Sequence, residues 1–112
     1  MPNSLSRRHQ RLDVSVRCSI EHNGRRILGQ TRNMSAGGVL LYSEEHIASG
    51  SLVDITFFSK RSHLKTSGRV LRSYLDNAYY TIAVEFITSS PEESFVIEGF
   101  ALANETVAAN PR

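Results

Sequence analysis

Cysteine is nearly missing from this 112-residue chain, Cys18 being the only one. That excludes an internal disulfide framework and any thiolate metal cluster held within one chain. Long apolar runs are missing as well. No stretch approaches the ~18 residues needed to span a bilayer, and the opening MPNSLSRRHQR has no apolar signal core. The expectation is a soluble, cytoplasmic protein with no membrane insertion. Repeats and low-complexity tracts are absent, and the three prolines lie near element boundaries. The length suits one domain able to bury roughly 65% of its unfolded surface. Hydrophobic residues at 40% and charged residues at 21% read as globular.

Catalytic patterns are equally scarce. His9, His22, His46 and His63 have no metal-ligand spacing such as HxxxH. Cys18 alternates with Val16 and Ile20, which suits a small buried hydrophobe better than a nucleophile. Glu44-Glu45 and Glu92-Glu93 are adjacent pairs, not carboxylates opposed across a cleft. A phosphate-loop lysine motif is absent. The chain reads as a non-enzyme with no catalytic residues, metal or cofactor.

What is present is a charge gradient. Residues 1–32 carry seven arginines against Asp13 and Glu21, a balance of +5. Residues 33–72 balance at +2, and from Ser73 onward six acids face only Arg112, giving −5. A basic front and an acidic tail suggest an anionic partner on one face.

Asp13 to Ile20 alternates with period two, placing Val14, Val16, Cys18 and Ile20 on one face of a strand. Glu21-His22-Asn23-Gly24 is hairpin turn chemistry, and Arg26 to Thr31 returns as the second strand. Asn33 to Gly38 is a polar break before the strand Val39-Leu40-Leu41-Tyr42. After a break at Ile47–Gly50, Leu52 to Phe58 is the fourth strand. Leu64 to Leu75 and Tyr79 to Thr88 form a long hairpin around Asp76-Asn77-Ala78. Ser90-Pro91-Glu92-Glu93 starts a helix, with serine as N-cap and Glu93 at capping-box spacing. Phe95, Gly99, Phe100 and Ala103 share one helical side, flanked by Val96 and Leu102. Six strands and a terminal helix predict an all-β-dominated fold, a six-stranded antiparallel β-barrel with a C-terminal α-helix, which removes the edge-strand problem.

Two segments stand out. Arg7-Arg8-His9-Gln10-Arg11 sets arginines four positions apart just before a strand. Arginine bonds phosphate bidentately, reads the Hoogsteen edge of guanine and stacks on a base. Asn33-Met34-Ser35-Ala36-Gly37-Gly38 follows, with polar side chains at Asn33 and Ser35 and backbone made approachable by Gly37 and Gly38. Each alone is ordinary: a solvated arm, and a turn between strands.

In sequence, RxxxR, a hairpin, and NxSxxG before an apolar strand resemble the PilZ domain, the bacterial cyclic di-GMP receptor module. Ser67-Gly68-Arg69-Val70-Leu71-Arg72 and Tyr80-Thr81-Ile82-Ala83-Val84-Glu85-Phe86 are similar to the family's glycine-containing strand and its successor. Ala83 stands where that successor commonly has glycine. Asn33 stands where aspartate is commoner, keeping the carbonyl acceptor and losing a charge beside an anionic ligand. The resemblance covers roughly residues 7 to 100.

It implies a split barrel in which Arg7, Arg11, Asn33, Ser35 and Gly38 bind cyclic di-GMP, with Arg8 and Gly37 beside them. Residues 1–12 would be a flexible basic arm, 13–108 the barrel and helix, and 109–112 a tail. The arm would clamp onto the barrel when ligand binds, at a cost in ordering entropy offset by charge-assisted hydrogen bonds. Signalling then passes through an unidentified effector protein, in matters such as biofilm or motility, by a monomer or weak homodimer. One ligand per protomer is expected, because Ser6 precedes the first motif arginine where a second copy would favour another arginine. An adaptor that keeps the barrel and binds no nucleotide is the alternative. Single-stranded nucleic acid ranks last, since the aromatics mostly alternate into strands or the helix face; neither DNA nor RNA is expected as a partner.

Overall fold

A computed structural model describes residues 10–106. Seven strands occur in chain order: β1 Leu12–Asp13, β2 Arg17–His22, β3 Arg25–Met34, β4 Gly38–Ser43, β5 Leu52–Phe58, β6 His63–Asp76 and β7 Tyr79–Ile87. Helix α1, Pro91–Ala103, follows them. The order β3-β2-β5-β6-β7-β4 closes on itself through β4 and β3, and every pairing is antiparallel. The result is a six-stranded barrel, as expected from the strand count, with β1 as a short extra rung on β3. Asn23 and Gly24 both take positive φ, 52° and 77°, as a two-residue hairpin turn of this hand requires.

The strand expected over Asp13–Ile20 is split in two. Its inward face is as read, with Val14, Cys18 and Ile20 buried and Val16 partly so. Between β1 and β2, however, a side chain replaces part of the ladder. The buried Thr31 hydroxyl donates to the Val14 carbonyl and accepts from the Val16 N–H. Val14 itself bridges to Glu105, beyond the helix.

The polar break expected at Asn33–Gly38 shrinks to Ser35–Gly37, because Asn33 and Met34 belong to β3 and Gly38 to β4. The register shifts between Thr31 and Asn33, so Arg32 is an extra residue in β3. Period two would carry Ile27, Gly29, Thr31 and then Asn33 inward. The bulge reverses the phase, sends Met34 into the core and leaves Asn33 on the outer face.

Helix α1 packs on the barrel through Ile97, Phe100 and Ala101, with Phe100 and Phe86 both against the buried Phe57 at ring-centroid distances of 6.2 and 6.1 Å. The expected grouping of Phe95 with Phe100 is corrected here. The helix has two apolar sides, which spacing alone cannot rank, and Phe95 is 77% exposed. Its start is as read: Ser90 caps Glu93 N–H, and the Glu93 carboxylate reaches back to the Ser89 N–H. After the helix the chain returns to the first strand, where Thr106 N–H donates to the Asp13 carbonyl.

Candidate functional site

The turn between β3 and β4 is tied down from three sides. Ser35 N–H donates to the Gly38 carbonyl at 2.9 Å, and the Ser35 hydroxyl accepts from Gly37 N–H at 3.1 Å. Phe86 N–H donates to the Gly37 carbonyl at 2.9 Å, fastening the tip to β7. Ser35 is buried, so its hydroxyl holds the turn together. Gly38 does not have positive φ. Its requirement is close approach: a Cβ there would stand inside contact distance of the Val84 carbonyl oxygen across the ladder.

Arg11 reaches this region. Its Nη1 donates to Asn33 Oδ1 at 3.5 Å, the outer limit for a hydrogen bond. The last arginine of RxxxR and the first residue of NxSxxG are therefore neighbours in space, 22 positions apart in sequence. Arg7 and Arg8 lie outside the described residues. Among described residues, ion pairs occupy Arg25 with Glu45 and Arg26 with Glu21, on the β2–β3 hairpin and its neighbour. Arg11, Arg17 and Arg32 form no ion pair among the described residues, and Asp13 is the carboxylate residue that stands opposite Asn33.

Ladder registers extend the outer face around Asn33. Asp13, Asn33, Leu40, Ala83 and Arg72 stand opposite one another in turn across β1, β3, β4, β7 and β6. A second bulge, between Val70 and Arg72, sets Arg72 in that row. At about 4.8 Å per strand, Arg72 is about 14 Å from Asn33. Ala83, the departure from the family's usual glycine, pairs regularly with Leu40 on β4 and lies beside the bulge on β6, where its partner is Arg72.

A concavity of about 880 Å³ lies off the motif turn, under the β6–β7 hairpin tip. Arg17, Leu28, Gln30, Tyr42, Phe58 and Tyr79 help to line it. It abuts the motif row, since Tyr42 and Leu40 are successive outward positions on β4, about 7 Å apart. Motif spacing missed Arg17, Tyr42 and Arg72, whose nearness depends on the barrel's closure and on bulges.

Among the described residues, no group of three His, Cys, Asp or Glu side chains is placed to hold a metal ion. Burial pushes the Cys18 thiol up to about 12, far from a reactive thiolate. No helix there is long and apolar enough to cross a membrane. The arrangement suits recognition: cations, an amide, an aromatic face and a rigid turn on one surface.

The PilZ domain family profile matches residues 5–101. No curated protein matches the chain in sequence. Among solved structures, it is similar to the PilZ domain with c-di-GMP of YcgR from Escherichia coli, at TM-score 0.72 and 12% identity over 87% of this chain and 89% of that one. It is similar to the PilZ domain of CeSA from a cellulose synthesizing bacterium, at TM-score 0.66 and 13% identity over 84% and 96%. MrkH of K. pneumonia is similar at TM-score 0.66 and 20% identity, over 87% of this chain and 46% of that one. The chain thus spans nearly all of the isolated domains and under half of MrkH, and at these identities the likeness is one of fold.

Proposed function

The chain belongs to the PilZ domain family, and from that premise we propose that it is a non-catalytic receptor for cyclic di-GMP acting through a partner protein. The observation that carries the reading is the approach of Arg11 to Asn33, which joins the two motifs on one outer face. In this reading Arg7, Arg8 and Arg11 clamp the ligand's phosphates and guanines from the arm, and Asn33 offers its amide from the barrel. Ser35, Gly37 and Gly38 contribute by fixing the turn that presents Asn33. Arg17 and Tyr42, in the adjoining concavity, supply a further cation and a stacking plane. The same structures named above include one described with c-di-GMP, which supports this choice of ligand.

Calorimetric titration with cyclic di-GMP, cyclic di-AMP and a single-stranded oligonucleotide tests it. The reading expects saturable binding of cyclic di-GMP at least tenfold tighter than of the other two. Absent binding of all three would leave the barrel as an adaptor without a nucleotide, and equal binding of all three would refute specific recognition of cyclic di-GMP.

A further inference from the structure

Helix α1 carries a second apolar side that the barrel does not use. Phe95 is 77% exposed, Val96 59% and Leu102 56%, and Ile87 beside them is 46% exposed. Phe95, Gly99 and Leu102 follow the i, i+4, i+7 spacing of one stripe. Gly99 is the odd member. A Cβ there would meet nothing within 4 Å, so no contact among the described residues requires glycine. Glycine in a helix interior nonetheless weakens the helix relative to alanine. Having no side chain, Gly99 leaves the centre of the stripe open to close approach by another backbone.

Charge says what kind of backbone. From Ser73 to Thr106 there are six acids and no lysine or arginine, and Glu92, Glu93 and Glu98 lie on the helix itself. Alongside runs a groove of about 450 Å³ between the helix and the sheet, where Asp54, Glu92 and Glu93 border Ile87 and Val96, with Lys65 the basic side chain on its wall. A second copy would set one acidic helix against another, with no basic residue on either helix to pair. An anionic lipid surface would be repelled for the same reason.

We propose that the outer side of α1, with this groove, is a docking surface for a cationic amphipathic helix of a partner protein. Its apolar stripe would cover Phe95, Val96 and Leu102, its backbone would cross near Gly99, and its lysines or arginines would meet the three glutamates. The inference rests on the helix and stands apart from the nucleotide reading.

The test titrates the full chain against a labelled 18-residue Leu/Lys amphipathic helical peptide, followed by fluorescence anisotropy. A scrambled Leu/Lys peptide and a Leu/Glu amphipathic peptide are the controls. The amphipathic Leu/Lys peptide is expected to bind at least tenfold more tightly than either control. Phe95→Ser with Leu102→Ser should weaken it at least tenfold, while cyclic di-GMP binding and the melting temperature stay unchanged. Backbone amide shifts in the wild-type chain, which need no variant, should concentrate between Phe95 and Ala103. Equal binding of the scrambled peptide, undiminished binding by the double variant, or shifts centred elsewhere would overturn the proposal. So would a wild-type dimer in sedimentation that the double variant abolishes. Absent cyclic di-GMP binding would overturn the receptor reading and leave the peptide result standing.

Discussion

Thr106 donates its backbone N–H to the Asp13 carbonyl at 2.7 Å, and Val14 bridges to Glu105 beside it. The segment after the C-terminal helix is thereby paired with residues two and three positions beyond Arg11. Whatever orders Arg11 against Asn33 also bears on this pairing, because Asp13 stands opposite Asn33 on the other edge of the same short strand.

Cyclic di-GMP is accordingly expected to slow amide hydrogen exchange at Thr106 and Val14, as well as in the Ser35–Gly38 turn. Exchange measured with and without ligand checks this. Protection confined to the turn would show that the arm and the C-terminal segment are uncoupled.

Gly38→Ala should lower stability by ~1–3 kcal/mol, the scale of overpacking, because its methyl presses on the Val84 carbonyl rather than on a movable side chain. Ser35→Ala should be milder, about 0.5–1.5 kcal/mol for one neutral hydrogen bond. Denaturant unfolding of the two variants measures the difference. A Gly38→Ala protein as stable as the wild type would refute the close-packing reason for that glycine.

Cys18 should resist thiol reagents in the folded protein, its burial holding the thiol at about 12. The folded value is raised above the unfolded one of about 8.5. This group's contribution is therefore fully present below about pH 8.5 and is lost as pH rises toward 12. Cys18→Ala gives up the packing of the sulfur and also removes that slope. Comparing the two proteins' stability between pH 8 and 10 tests the sign, which is wrong if the wild type gains on the variant as pH rises.

One ligand per chain is the expected stoichiometry, since Ser6 offers no cation or stacking plane ahead of Arg7. Saturation at two ligands per chain would contradict it. Ser6→Arg should raise the ratio.

Much of this was readable from residues, and what was not has identifiable causes. Asn23-Gly24 announces its hairpin because few residues tolerate positive φ. Val14, Cys18 and Ile20 announce a face through simple alternation. Alternation carries no mark for an extra residue, so the bulges at Arg32 and beside Arg72 were invisible. The first of them decides where Asn33 points. Helix α1 misled for a different reason: two apolar sides compete on spacing, and only the Phe57–Phe100 contact shows which one meets the barrel. RxxxR and NxSxxG could be found as motifs. Their meeting at Arg11 and Asn33, and the nearness of Arg17 and Tyr42, depend on β4 closing onto β3.

The central claim is that the arm and the β3–β4 turn form one cyclic di-GMP site, and calorimetric titration of Arg11→Ala beside the wild type tests it most directly. Loss of one bidentate arginine contact is worth ~1–3 kcal/mol, or roughly one to two orders of magnitude in affinity. The account predicts that weakening with the melting temperature of the ligand-free protein unchanged, since Arg11 is exposed and outside the core. Wild-type affinity in Arg11→Ala would contradict it.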